Sequence, residues 1–249
     1  MAYYTCVLLD VDNTLLDFDA AERHALMDTL CHYELPHDAH AIETYHKINR
    51  ELWDNLAKGQ ITRNKLFAVR FSLLKEALGL PSEGDSREMS EFYSDQLATH
   101  ADLLPGVLPF LEELSEVATL AIVSNGAAKV QNPRIEASGI YRYMDGIYIS
   151  EKVGVSKPAA KIFDFALKDL GVTDRSRVLM VGDDLLADIK GGLNAGLDTC
   201  WVNFARGENK TGIDPKYMIH SFEELYPIVM EPEELENIGL RNRRHWNEL

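Results

Sequence analysis

Asp10 and Asp12 stand two positions apart in Leu8-Leu9-Asp10-Val11-Asp12-Asn13-Thr14-Leu15, directly after an apolar run. Carboxylates that close repel unless a proton or a cation joins them. At ~4 Å and an effective dielectric of 20 the repulsion is about 4 kcal/mol. A hard divalent cation such as Mg²⁺ resolves it. The same residues also fit a polar strand end closed by an Asx turn at Asp12-Asn13. A second acidic group, Asp183, Asp184 and Asp188, follows the apolar run that ends in Val181-Gly182. Capping of a helix by Asp183 or Asp184, worth about 1 kcal/mol, accounts for one aspartate there but not for three. Between the acidic groups lie Ile122-Val123-Ser124-Asn125-Gly126 and Val155-Ser156-Lys157-Pro158. A hydroxyl followed by backbone N–H groups at a strand-to-helix turn can hold phosphate oxygens, although Ser-Asn-Gly is also ordinary turn chemistry. Lys157 precedes a proline suited to the first turn of a helix. Its ammonium could neutralise both a phosphate and a carboxylate, or it could be a surface lysine. In chain order the groups read Asp pair, Ser, Lys, Asp cluster, which together make a metal-plus-phosphate site.

Such a site needs elements that end side by side. Short apolar runs at 5–9, 118–123, 147–149, 178–181 and 199–204 are bounded by Asp, Ser or Gly. They read as strands buried on both faces of a parallel sheet. Helical patterns at about 106–116, 133–138, 159–170 and 185–195 alternate with the later runs. Strand alternating with helix predicts an α/β fold, a doubly wound parallel sheet. The glycines at 191, 192 and 196 predict close approach of a helix to that sheet. In a sheet of this kind the ligand crevice lies beyond the carboxyl ends of the strands.

Residues 17–104 break the alternation, with several helical patterns and no strand. Asp19 with Glu22 forms a capping-box pattern. Asp38 is placed to cap a second helix with Ile42, Tyr45, Ile48, Leu52 and Leu56 on its apolar face. Thr62 is placed to cap a third, carrying Phe67, Phe71, Leu74 and Leu78 and stopped by Gly79 and Pro81. Ser86 opens a fourth that runs to about His100. A crossover between parallel strands needs only a dozen or so residues. The stretch therefore predicts an inserted helical domain at 17–104 within a discontinuous core of 1–16 and 105–249. Pro133 is expected at the first position of a delayed helix capped by Asn132.

Of the 249 residues, 46% are hydrophobic and 26% charged, the balance of a globular chain with a core. The net charge of −15 repels nucleic-acid backbones and anionic membranes. Three scattered cysteines argue against a disulfide framework or a zinc cluster. No signal peptide or membrane-length apolar run is evident, so a cytoplasmic location is expected. The expected partner is a small phosphorylated metabolite, not a nucleic acid polymer or a membrane.

The segments LLDVDNTLLDF, IVSNG, VSKP and GDDLLADIKGG resemble, in order and spacing, the four motifs of the haloacid dehalogenase superfamily. The likeness extends to about residue 229, and the helical insertion resembles a cap of the type placed just after the first motif. Within the superfamily, ISEKVGVSKPAAKIFDFALKDLG and GDDLLADIKGGLNAGLDTCWVN are most similar to pyrimidine 5′-nucleotidases. The resemblance implies that Asp10 is a nucleophile forming an aspartyl-phosphate and that Asp12 is the general acid and base. It also implies that Ser124 and the adjacent N–H groups of Asn125 and Gly126 hold the phosphoryl group and that Lys157 balances charge. Mg²⁺ would be held by Asp10, the carbonyl of Asp12, and Asp183, with Asp188 in support. Dehalogenases of the superfamily lack the second aspartate, so Asp12 favours phosphate-ester hydrolysis. The loop Ala57–Arg63 resembles the family's substrate-selecting loop, with Arg63 the candidate contact. A sugar-phosphate phosphatase or phosphomutase on the same scaffold remains open. So, more remotely, does a phospho-aspartate signalling module, although receivers are shorter and carry their aspartate on a later strand.

Overall fold

The computed structural model describes residues 2–82 and 86–230, so the polar tail at 231–249, for which the sequence indicates no role, lies outside the described residues. The chain forms two compact units. The described residues of one are 2–17, 102–128 and 135–230; those of the other are 18–82 and 86–101 with 129–134.

The first unit is built on a six-stranded parallel sheet of order β3-β2-β1-β4-β5-β6. Its strands are β1 (Cys6–Leu9), β2 (Thr119–Ser124), β3 (Gly146–Ile149), β4 (Val178–Gly182), β5 (Asp198–Val202) and β6 (Tyr217–Ile219). Strand periodicity sends alternate residues to opposite faces. Val7, Leu9, Ile122 and Val181 join one apolar layer with helix α5 (Val107–Ser115). Cys6, Leu8, Val123 and Met180 join another with α8 (Ala160–Asp169). Five of the strands answer the predicted runs. The sixth has only three residues after a polar loop, too short for its composition to stand out.

Helices differ from expectation in informative ways. Helix α6 (Ala128–Ala137) contains Pro133 instead of starting there. A proline inside a helix lacks the N–H for its ladder bond, and residues 129–134 of this helix belong to the other unit. After the short α7 (Ser150–Val153), Pro158 lies in a turn ahead of α8, whose N-cap is Ala159, and is not its first residue. The expected helix at 185–195 divides into a π-helical turn, Leu185–Ile189, and α9 (Lys190–Asn194). Gly192 does allow close approach to the sheet, where a Cβ would lie 2.7 Å from Thr199 of β5. Gly191 faces α8, where a Cβ would lie 2.8 Å from the Phe163 ring. Gly196 instead serves a turn, at φ +70° with open space around it. Helix α10 (Leu225–Met230), the last among the described residues, adds Leu225, Ile228 and Val229 to the first apolar layer.

The second unit packs α1 (Phe18–His32) and α3 (Arg63–Ala77) on either side of α4 (Ser86–Thr99), with α2 (Ala39–Ala57) against α3. Asp38 and Thr62 cap as expected, accepting from Ala41 N–H at 2.9 Å and Lys65 N–H at 3.2 Å. Asp19 lies inside the first turn of α1 and not at its cap, and Glu22 is buried to bind other helices. The segments leading out of and back into the α/β unit run together. Asp17 N–H donates to Asp102 O at 2.9 Å and Leu104 N–H to Leu15 O at 3.0 Å. An insertion costs a core little when its ends are this close.

Candidate active site at the carboxyl end of the sheet

The strand order reverses direction at β1. From there the chain proceeds outward through β2 and β3, then returns to the other side of β1 for β4, β5 and β6. This is the switch point at which open α/β sheets form a crevice. Asp10 follows β1 directly, and its N–H donates to Val181 O at 2.9 Å, which ties it to β4. The next residues form a tight loop. Leu15 and Leu16 N–H both donate to Val11 O, at 2.8 and 2.9 Å, and Asn13 N–H donates to Leu16 O at 2.8 Å. Asn13 adopts φ +54°, a left-handed conformation that asparagine tolerates better than most residues. Asp12 pairs with Leu16 in a single β-bridge, so the loop holds both aspartates near the strand end.

Lys157 is 1% exposed and reaches into this strand end. Its Nζ lies 2.5 Å from Asp10 Oδ1 and 2.6 Å from Asp188 Oδ1, and it donates to Val123 O at 2.6 Å. Burial opposes the ammonium, but Asp10 and Asp188 outweigh it and raise its pKa. Asn125 pairs with the backbone of the same lysine. Its Nδ2 donates to Lys157 O at 2.9 Å, and Lys157 N–H donates to Asn125 Oδ1 at 2.9 Å. Ser124 is buried, and its Oγ accepts from Gly126 N–H at 3.1 Å.

The third acidic segment separates capping from ligand chemistry. Asp184 is the cap, accepting from Leu186 N–H at 2.7 Å and Ala187 N–H at 3.1 Å. Asp183 is thereby left for another task, and its carbonyl is steadied by Trp201 Nε1–H at 2.8 Å. Asp188, buried on the π-helical turn, accepts from Asp184 N–H at 3.0 Å. It packs so tightly on β4 that a Cβ on Gly182 would lie 2.3 Å from its Oδ2. Only glycine fits at that strand end.

Asp10, Asp183 and Asp188 each offer an oxygen within 4.8 Å of the others. Burial pushes the Asp10 carboxyl up to about 8, with Lys157 pulling it down and Asp188 and Asp12 adding to the rise. Burial also raises Asp183 well above the usual range, with help from Asp10 and Asp188, and it raises Asp188 against the pull of Lys157. Three carboxylates thus face one ammonium. An all-oxygen, overly acidic donor set of this kind fits a hard divalent cation. Arg63 belongs to the other unit. It is the first residue of α3, with its guanidinium 5.8 Å above the Trp53 ring. Sequence reasoning missed Trp201 and Asn194, whose Nδ2 donates to Pro158 O at 2.9 Å. An indole ending a strand and an amide ending a helix carry no spacing signal of their own.

Fold and site define a doubly wound α/β protein with an acidic cluster at its switch point that could hold a cation. The family model for haloacid dehalogenase-like hydrolases matches residues 4–196, and the chain belongs to that family. It is 37% identical to the pyrimidine 5′-nucleotidase YjjG of Escherichia coli over 90% of this chain and 96% of that one. It is 35% identical to the pyrimidine 5′-nucleotidase PynA of Streptococcus pneumoniae over 90% and 94%. Among solved structures, the HAD-hydrolase YfnB of Bacillus subtilis bound to magnesium superposes with a TM-score of 0.84 at 35% identity, over 91% of this chain and 98% of that one. The chain is accordingly an enzyme, a phosphatase-type hydrolase of phosphoric monoesters. Among the described residues no helix is long and apolar enough to cross a membrane.

Proposed function

We propose that the chain is a Mg²⁺-dependent 5′-nucleotidase acting on pyrimidine nucleoside monophosphates through an aspartyl-phosphate. The observation that carries this reading is Lys157 held between Asp10 and Asp188, beside Asp183 and the Ser124 turn. Mg²⁺ held by Asp10, the Asp12 carbonyl and Asp183, with Asp188 in support, would supply the charge that lets an anionic nucleophile approach an anionic phosphate. Asp10 attacks phosphorus as the ester P–O bond breaks, and Asp12 gives its proton to the departing oxygen. Asp12 then takes a proton from water, which attacks the phosphorus and releases phosphate from Asp10. Ser124 and the N–H groups of Asn125 and Gly126 hold the phosphoryl oxygens, and Lys157 together with the bound cation would favour the ionised Asp10 that attacks. The helical insertion at 17–104 is the proposed substrate-selecting unit, with Arg63 its candidate for recognising the phosphate or the base.

The nucleotidase relatives support the substrate class, and the magnesium in YfnB supports the metal. Phosphate release from a panel of nucleoside monophosphates and sugar phosphates tests both. UMP is expected to exceed hexose phosphates in kcat/KM, with activity lost in EDTA. Undiminished turnover in EDTA would sink the mechanism. A preference for hexose phosphates would replace the nucleotide substrate and leave the mechanism standing.

A further inference from the structure

We propose that the side chain of Asn125 is a positioning residue for Lys157 and not a substrate contact. The proposal rests on the phosphatase reading above and assigns to the Asn125 amide a task which that reading leaves open. One side-chain amide both donates to Lys157 O and accepts from Lys157 N–H, each at 2.9 Å. Two opposed bonds to one residue fix the position and the direction of its backbone. The far end of the lysine is held from the same turn, since Val123 O accepts from its Nζ at 2.6 Å. Residues on either side of Ser124 therefore grip both ends of Lys157. A lysine side chain has many rotamers to lose, so a grip at both ends helps to hold the ammonium between its two carboxylates.

The chemistry explains why asparagine occupies the turn. Aspartate cannot donate to the Lys157 carbonyl, and serine cannot reach with two separate atoms. The loop is also held from its other side. Asn194, the last residue of α9, donates to Pro158 O at 2.9 Å. A Cβ on Gly191 would lie 3.2 Å from Pro158 Cα, so α9 is seated directly on the loop. Amides from the segments after β2 and β4 thus bracket the lysine loop. The phosphate turn and the ammonium form one rigid assembly.

A double-mutant cycle tests this. Asn125→Ala, Lys157→Ala and the pair are assayed on UMP and on p-nitrophenyl phosphate. Asn125→Ala is expected to lower kcat roughly 10- to 100-fold, the usual scale for a group that orients another. The factor should be the same for both esters, with KM held within about twofold. In the Lys157→Ala background the same change should cost no more than about twofold, because the interaction it serves is already gone. Losses that multiply, or a rise in KM confined to the nucleotide, would overturn the proposal and make Asn125 a substrate contact. Amide hydrogen exchange provides an arm independent of turnover. The Lys157 N–H is expected to lose protection in Asn125→Ala while the β1 and β4 amides keep theirs. Unchanged protection overturns the proposal even if the wild type hydrolyses no ester, a result that would separately refute the phosphatase reading. Should Asn125→Ala fail to fold, Asn194→Ala changes an exposed residue. It should show the same substrate-independent loss of kcat, at about two- to fivefold, and an unchanged kcat would count against the bracket.

Discussion

Each unit buries charge, and the two do so differently. In the α/β unit Lys157 meets Asp10 and Asp188, with Asp183 adding a third carboxylate. In the helical unit Arg70, also buried, meets oxygens and rings. Its Nε donates to Ser90 Oγ at 3.1 Å, its Nη2 donates to Ser90 O at 3.0 Å, and its guanidinium lies 4.2 Å from the Tyr93 ring centre. Glu22 nearby accepts from Asn49 Nδ2 at 2.9 Å and from Tyr93 at 3.3 Å, and pairs with His46 at 3.2 Å. The helical cluster sets one buried arginine among neutral acceptors and rings and gives its one buried carboxylate neutral donors and a histidine. The sheet-edge cluster carries more negative charge than its own cation can balance. A surplus of that kind is unfavourable for folding and useful for binding a cation. Charge balance thus separates a group that builds the fold from one suited to the proposed chemistry.

The largest expected break in this contrast is Asp10→Asn. It removes the proposed nucleophile, so kcat should fall by roughly 10⁴-fold or more. Stability in EDTA should hold or rise, because one of several mutually repelling carboxylates is gone. A thermal melt beside a phosphate-release assay checks both. A variant that melts far earlier would mean that the cluster is structural.

Arg70→Ala should behave in the opposite way. Removing a buried cation that donates to Ser90 and Ser94 in an aromatic setting should cost about 3 kcal/mol of stability. Arg70→Met, which keeps the volume without the charge, should recover a large part of that. Urea unfolding of both variants decides this. If Met is as damaging as Ala, the charge itself holds the helices together and the contrast fails.

Gly182→Ala asks how closely the acidic cluster must be built. The new Cβ would fall 2.3 Å from Asp188 Oδ2, so the carboxylate must move. Activity should drop roughly 10- to 100-fold, as when a supporting ligand is displaced. Gly79→Ala in the helical unit, at φ +69° in open space, should cost about 1 kcal/mol of stability through backbone strain. Its kcat should be unchanged. Equal effects on turnover would show that the two glycines are not serving different ends.

How far the sequence foretold this contrast follows from range. Leu8-Leu9-Asp10 and Val181-Gly182-Asp183 announce strands ending in acid, because a parallel strand and its polar terminus are contiguous in the chain. Asp38 and Thr62 were legible as caps for the same reason. Whether Asp183 or Asp184 caps the next helix is not a local matter of composition. It is settled by the π-helical turn, which brings the Leu186 and Ala187 N–H groups to Asp184. Asp19 looked like a cap because its spacing to Glu22 is right, yet Glu22 is drawn inward by Asn49 and Tyr93, partners 27 and 71 residues away. Pro133 sits within a helix that its local signal would have started. Arg70 lies three residues after Phe67 and four before Leu74, on the apolar stripe of α3, yet its charge reads as that of a solvated arginine until Ser90 and Tyr93 on α4 are seen to receive it.

The smallest expected effect concerns pH. The hydrogen bond with Glu22 raises the His46 pKa above 6.5, against a lesser opposing effect of burial. A histidine whose pKa is raised on folding contributes stability that is fully present below its unfolded value. The contribution is lost as pH rises through the folded value. The side chain of His46 is 36% exposed, so solvent screening keeps the contribution below about 1 kcal/mol. Wild type should therefore lose slightly more stability than His46→Gln between about pH 6 and pH 8.5. Paired urea titrations at those pH values measure the difference. Coincident profiles would mean that the His46–Glu22 pair adds nothing to the helical unit. A difference in kcat at either pH would mean that this cluster, too, takes part in the reaction, and the distinction between building and reacting charge would have to be redrawn.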